Sequence, residues 1–111
     1  MSYNRIQRIS DLIQKEIAIL LRTEAHDPRF LNVTITGAKV TADLSLVKIY
    51  FTLLETDELT QTLPALKKAA GFLRSSLAKR AFLRKTPEIQ FVYDESVVRG
   101  QHLAQLINSV E

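Results

Sequence analysis

The chain has 111 residues, of which 46% are hydrophobic and 24% charged, proportions that fit one globular domain with a single core. It has no cysteine, which excludes a disulfide framework, a thiolate nucleophile and a cysteine-ligated zinc site. The net charge of +3 is mildly basic, so the distribution of charge matters more than its total. The first residues, MSYNRIQRISDL, lack the apolar run of a signal peptide, and no stretch is apolar over the ~20 residues of a membrane span. We therefore expect a cytoplasmic protein without membrane association.

The first predicted element is a helix over residues 5–22. Apolar residues recur there at steps of three and four, which places them on one face: Ile6, Ile9, Ile13, Ile17 and Leu20. The following segment, HDPRFLN, stops the helix because the residue before Pro28 is pushed out of the α region.

Two strands are predicted next, over residues 33–41 and 44–54. The first changes its apolar parity around Gly37, which predicts a bulge or bend there. In the second, apolar and polar residues alternate. One face comprises Val47, Ile49, Phe51 and Leu53, and the other comprises Lys48, Tyr50 and Thr52. We expect a hairpin whose apolar face is covered by helices.

The second half of the chain predicts further helices around a third strand. Thr56 or Asp57 is a fitting helix cap, but Pro64 is unfavourable deep inside a helix, so we expect ordered helix to begin near it. The helical pattern then runs over residues 66–84. Residues 87–94 read as a strand with Ile89, Phe91 and Tyr93 inward, and residues 96–110 as a last helix. The chain is predicted to be one α+β domain over residues 1–111.

The helical pattern over residues 66–84 separates apolar from basic residues. On a wheel of ~100° per residue, one side gathers the residues expected to face the sheet: Leu66, Ala70, Leu73, Leu77 and Ala81. The far side carries small residues flanked by cations: Lys67, Gly71, Arg74, Ser75, Ala78 and Lys79, with Lys68 beside them. No acidic residue occurs between Glu58 and Glu88. Such a run favours a polyanion partner, although a solvated face that serves solubility fits the same pattern.

Gly71 interrupts this helical pattern and allows two interpretations. Glycine costs about 1 kcal/mol in a helix interior relative to alanine, and it often marks a kink or a close approach of the backbone. A break here would free the amides of Phe72 to Arg74 at a new helix N-terminus, where anions bind. Alternatively, Gly71 only makes room for a packed neighbour.

Several stretches together resemble the ribosome-binding factor A family, whose members are small bacterial factors for late maturation of the small ribosomal subunit. They are RIQRISDLIQKEIAILL (5–21), DPR (27–29), VTITGAKVTADLSLVKIYF (33–51), ALKKAAGFLRSSLAKRAFLRKTPEIQFVYDES (65–96) and RGQHLAQLI (99–107). The resemblance implies a type II KH-like fold, helix–strand–strand–helix–kink–helix–strand, with a three-stranded sheet covered by helices. The family has an Ala-x-Gly kink between its central helices in place of the usual Gly-x-x-Gly loop. Ala69, Ala70 and Gly71 match that kink.

The resemblance also implies a function. We expect a monomeric, non-enzymatic assembly factor that binds the immature 30S subunit and its 16S rRNA and promotes late maturation, including 5′-end processing. Many relatives carry a further polar tail, whereas this sequence ends soon after its last predicted helix, which places any tail-dependent role in doubt. The RNA contacts expected on this basis are Arg5, Arg8, Lys67, Lys68, Gly71, Arg74, Ser75, Lys79, Arg80, Arg84 and Lys85. Arg80 lies nearest the core side of the wheel. The alternative is a basic module that docks an acidic ribosomal protein or an assembly GTPase.

Other candidate sites are weaker. His26 and His102 lie far apart, and no cluster of acidic residues and histidines has metal-ligand spacing, so we expect no metal and no cofactor. Four carboxylates can be pictured as catalytic groups: Asp27, Asp43, Asp94 and Glu95. Asp43 and Asp94 fit turns and caps better, and Asp27 suits a turn because it precedes Pro28. Without a nucleophile motif or a glycine-rich phosphate loop, the sequence does not indicate an enzyme. Tyr50, beside Lys48 on the polar strand face, is a candidate for stacking on a base.

Overall fold

The computed structural model describes residues 3–54, 58–81 and 83–95. They form an α+β fold, as predicted. In chain order the elements are helix α1 (Tyr3–Thr23), a short 3₁₀ helix (Pro28–Asn32), strands β1 (Val33–Val40) and β2 (Leu46–Leu53), helix α2 (Leu59–Ala81) and strand β3 (Glu88–Tyr93). The last predicted helix, with Ser96 to Val110, and the cap candidates Thr56 and Asp57 lie outside the described residues.

Helix α1 buries the apolar stripe that its spacing predicts. Ile13, Ile17 and Leu20 are fully buried. After the helix, the Asp27 carboxylate accepts a hydrogen bond from the amide of Arg29 and caps the 3₁₀ helix, and Pro28 occupies its first turn. The turn role expected of Asp27 is thus confirmed.

The three strands make one mixed sheet in the order β1–β2–β3. β1 pairs antiparallel with β2 as the predicted hairpin, and β3 joins the other side of β2 in parallel. The register of β1 against β2 shifts between Ile35 and Gly37. This confirms the bulge predicted from the change of apolar parity.

One face of the sheet, the inner face, carries the core. Val47, Ile49 and Phe51 of β2 are fully buried, and Phe91 of β3 packs edge-to-face on Phe51 with ring centroids 6.2 Å apart. These side chains join one core cluster with the buried residues of α1 and α2, so both helices cover this face. Its opposite, the outer face, is lined by exposed and half-buried residues.

The central helix corrects two expectations. α2 begins at Leu59, so Pro64 lies within it and does not mark its start. α2 is also a single helix through Gly71, where two helices separated by a kink were predicted. Pro64 removes one helix hydrogen bond, to the carbonyl of Thr60, in the second turn. Burial of Ala65 and Leu66 immediately after it holds this turn against the core and offsets the loss.

Candidate nucleic-acid interface

Helix α2 presents its basic side to solvent. Leu66, Leu73 and Leu77 are fully buried on the sheet side, as the wheel predicts. The residues on the far side are all exposed, and we call them the basic face: Lys67, Lys68, Gly71, Arg74, Ser75, Ala78 and Lys79. The core contacts of three leucines therefore fix which way these cations point.

Gly71 lies in the middle of the basic face and its surroundings are open. A Cβ placed on it would meet no atom within 4 Å, so packing against a neighbour does not require glycine. The helix continues on both sides, and the predicted free amides of Phe72 to Arg74 belong to an unbroken α-helix. What remains at Gly71 is bare backbone between exposed cations, which permits close approach of a ligand.

The cations of this region differ in the hydrogen bonds and ion pairs that they make within the protein. Arg74 donates from Nε and Nη2 to the carbonyl oxygen of Thr86, at 3.3 and 3.0 Å. Arg80 points toward α1 and donates from Nε to the Glu16 carboxylate, which raises the pKa of the Arg80 guanidinium. The charge of Arg80 is thereby compensated within the protein. The exposed charge of the basic face is carried by Arg74 together with Lys67, Lys68 and Lys79.

Arg84 and Lys85 extend the exposed charge beyond the end of α2. The ammonium group of Lys85 donates to the backbone carbonyl of Asp43, in the turn between β1 and β2, at 3.4 Å. The Asp43 carboxylate accepts from the hydroxyl groups of Ser45 and Thr41, at 2.7 and 2.8 Å. These bonds, with the backbone amide of Ser45 and the nearby Lys85 charge, lower the pKa of Asp43 to about 2. Asp43 thus serves the turn, as predicted.

Arg5 and Arg8 are exposed near the start of α1, on a different helix from the basic face. Two of the carboxylates considered as catalytic groups, Asp94 and Asp27, have local structural roles instead. Asp94 accepts a hydrogen bond from the Thr36 hydroxyl at 2.7 Å, which links the bulge of β1 to the end of β3. Asp27 pairs with Arg29, whose hydrogen bonds lower the pKa of the carboxyl group.

The sequence interpretation missed one residue of this surface. Phe72 has 48% of its surface exposed, although it is a large aromatic residue within a helix. Lys68 precedes it by four positions and Ser75 and Lys79 follow it by three and seven, so they all share one side of α2. An exposed ring among cations suits stacking on a nucleobase. The helical wheel places Phe72 outside the apolar side of α2, and this position was the sequence signal that the ring is exposed.

A groove runs alongside the basic face. It has a volume of about 420 Å³ and lies between α2, at Lys67 and Ala70, and β3, at Ile89 and Phe91. Leu46 of β2 and Glu88 of β3 also line it. The groove therefore holds a carboxylate as well as a cation.

Residues 3–54, 58–81 and 83–95 contain no group of three or more histidine, cysteine or acidic residues placed to hold a metal ion. No helix among them is long and apolar enough to cross a membrane.

Comparison with known proteins gives one consistent result. The model of the family described as ribosome-binding factor A matches residues 5–107. Ribosome-binding factor A of Nitrosomonas europaea is 49% identical over 107 residues, which cover 96% of this chain and 92% of that protein. The crystal structure of ribosome-binding factor A from Thermus thermophilus superposes with a TM-score of 0.71 at 23% identity, covering 79% of this chain and 94% of that one. A homology model of the Thermus thermophilus factor, fitted into a cryo-EM map of its complex with the 30S subunit, superposes with a TM-score of 0.68 at 22% identity, covering 81% and 96%. The chain belongs to the ribosome-binding factor A family.

Proposed function

We propose that this protein is a non-enzymatic assembly factor that binds the immature small ribosomal subunit through its 16S rRNA and promotes late maturation, including processing of the rRNA 5′ end. The observation that carries the proposal is the basic face of α2, a row of exposed cations in a segment without any acidic residue. Family membership and the fit of a related fold to a 30S complex support the ribosomal target.

The basic face contacts mainly the sugar–phosphate backbone of the RNA. Lys67, Lys68 and Lys79 attract phosphates as mobile point charges. Arg74 is held in place by Thr86 and still has guanidinium hydrogens for a phosphate, since the two bonds to that carbonyl use only part of its five donors. The bare backbone at Gly71 lets the strand approach α2, and Phe72 stacks on a base beside it.

Maturation follows from binding alone. A protein that binds one conformation of an RNA more tightly than another shifts the population toward the first, by as much as its two affinities differ. Recognition by charge and shape suits this role because it depends on the path of the rRNA backbone more than on the base sequence. No catalytic group is needed for such a step.

The decisive experiment is co-sedimentation with purified small and large subunits across a salt series. The double variant Lys67→Gln/Lys79→Gln is compared with Lys15→Gln/Arg22→Gln, which removes the same charge from exposed positions of α1. For single-stranded RNA, each lost phosphate contact makes the slope of log affinity against log salt concentration shallower by about 0.7. Because 0.1 M is one decade below 1 M, the affinity at 0.1 M salt then falls about fivefold for each lost contact, if the affinities at 1 M are equal.

We expect the α2 variant to bind small subunits about 25-fold more weakly at 0.1 M salt, as two lost contacts predict. The α1 variant should bind nearly as the wild type does. Equal affinity for large and small subunits, or an unchanged α2 variant, would contradict the proposal. Binding that survives nuclease removal of the rRNA would instead support docking on an acidic protein. In cells that lack the natural factor, primer extension across the 16S 5′ end tests the processing role.

A further inference from the structure

The outer face of the sheet carries a pair of cations that the fold does not need. Lys39 of β1 lies directly opposite Lys48 of β2, and Gln90 of β3 continues the same row. All three residues are exposed. Like charges directly opposite each other destabilise an antiparallel pair. An anion bound between the two ammonium groups would relieve that repulsion.

Tyr50 lies in the next row of the same face. Its cross-strand partner is Gly37, which follows the bulge of β1. The tyrosine side chain fills the space over this glycine, because a Cβ added there would lie 3.8 Å from Cδ2 and 4.0 Å from Cβ of Tyr50. Tyr50 as a residue is half-buried, so part of it faces solvent, two positions from Lys48. A supported aromatic ring beside two lysines combines base stacking with phosphate binding.

Acidic residues border this face without neutralising it. Glu88 lies beside Leu46, in the row beyond Lys48. Asp94 follows β3 at the other end and accepts the hydrogen bond from Thr36. Between these two acidic residues, the positive charge of the face comes from Lys39 and Lys48, which stand in a single row of the sheet.

We propose that the outer face of the sheet is a second RNA-binding surface, on which a single-stranded segment stacks one base on Tyr50 and places a phosphate between Lys39 and Lys48. The choice of RNA as the partner rests on the proposed function. Both helices cover the inner face, so this surface and the basic face of α2 lie on opposite sides of the domain. The protein would then hold two separate RNA segments at once.

The test uses the full chain and two probes, purified small subunits and protein-free 16S rRNA. Lys39→Gln/Lys48→Gln should weaken binding to both about fivefold at 0.1 M salt and lower the salt slope by about 0.7, as the loss of the one phosphate held between the two lysines predicts. Tyr50→Leu should weaken it about tenfold, within the range of one lost stacking contact, whereas Tyr50→Phe keeps the ring and should bind as the wild type does. The control is again Lys15→Gln/Arg22→Gln.

Each outcome separates this inference from the proposed function. If the lysine pair variant binds normally while Lys67→Gln/Lys79→Gln binds weakly, the second surface is refuted and the α2 interface stands. If only the outer-face variants lose affinity, the second surface stands and the α2 interface fails. If they lose affinity for subunits but not for protein-free 16S rRNA, the face docks a ribosomal protein and the inference is overturned. Should Tyr50→Leu fail to fold, the lysine pair decides, since its loss removes a repulsion.

Discussion

Replacing Gly71 with alanine separates the two roles that a glycine in this helix can have. Gly71 is exposed within α2, and an added Cβ meets nothing within 4 Å, so no steric cost opposes the change. Alanine is favoured over glycine in a helix interior by about 1 kcal/mol. For a domain of about 100 residues that gain raises the melting temperature by about 4–8 °C. Thermal unfolding followed by circular dichroism measures it.

The matched control is Ala78→Gly, seven residues later on the same exposed side, which should lower the melting temperature by a similar amount. If Gly71→Ala instead lowers it, the helix is not continuous at this position in solution, and the interhelical kink implied by the family resemblance is correct. Affinity for small subunits gives the second readout. A methyl group on the bare backbone should hold the RNA strand away from α2 and weaken binding. Unchanged affinity would refute the close approach at Gly71.

Four further changes test individual contacts. Phe72→Leu should leave the melting temperature nearly unchanged because the ring is exposed, and should weaken binding to 16S rRNA by about 1–3 kcal/mol if the ring stacks on a base. Leu73→Ala, one position on but fully buried, should cost about 2–5 kcal/mol of unfolding free energy in denaturant titration. Arg80→Gln should lower the melting temperature by leaving Glu16 unpaired, with little effect on the affinity for subunits. Asp43→Ala should lower the melting temperature at neutral pH, because the native pKa of about 2 lies below the ordinary value of about 4. That difference should be full above pH ~4 and vanish as the pH falls toward 2.

Much of the fold could be predicted because its elements have strong periodicities. The stripe of α1 and the alternation of β2 each place apolar residues on one side, and the same sides are buried. The bulge of β1 was visible as a change of parity at Gly37. The side of α2 that carries the cations followed from the positions of Leu66, Leu73 and Leu77.

The errors in α2 arose where a local preference was weaker than tertiary packing. The helix penalty of Gly71 is about 1 kcal/mol, whereas burying one leucine stabilises the fold by about 1.5–3 kcal/mol. Leu66 and Leu73 are buried on either side of the glycine, so the helix continues through it. The engagement of Arg74 with Thr86 and of Arg80 with Glu16 could not be predicted either, because those partners come from other elements.

The net charge of the protein is only +3, but the charged residues are distributed unevenly along the sequence. Residues 59–87 hold seven of the fifteen basic residues and none of the twelve acidic ones, which leaves the rest of the chain with a net charge of −4. A polyanion is therefore attracted most strongly to this segment, so the field orients the protein before contact. A uniformly basic protein of higher charge would bind any RNA in any orientation. Under the two proposals above, we expect the charge concentrated in residues 59–87 to steer one side of the domain toward the rRNA, while the lysine pair on the outer face contacts a second segment.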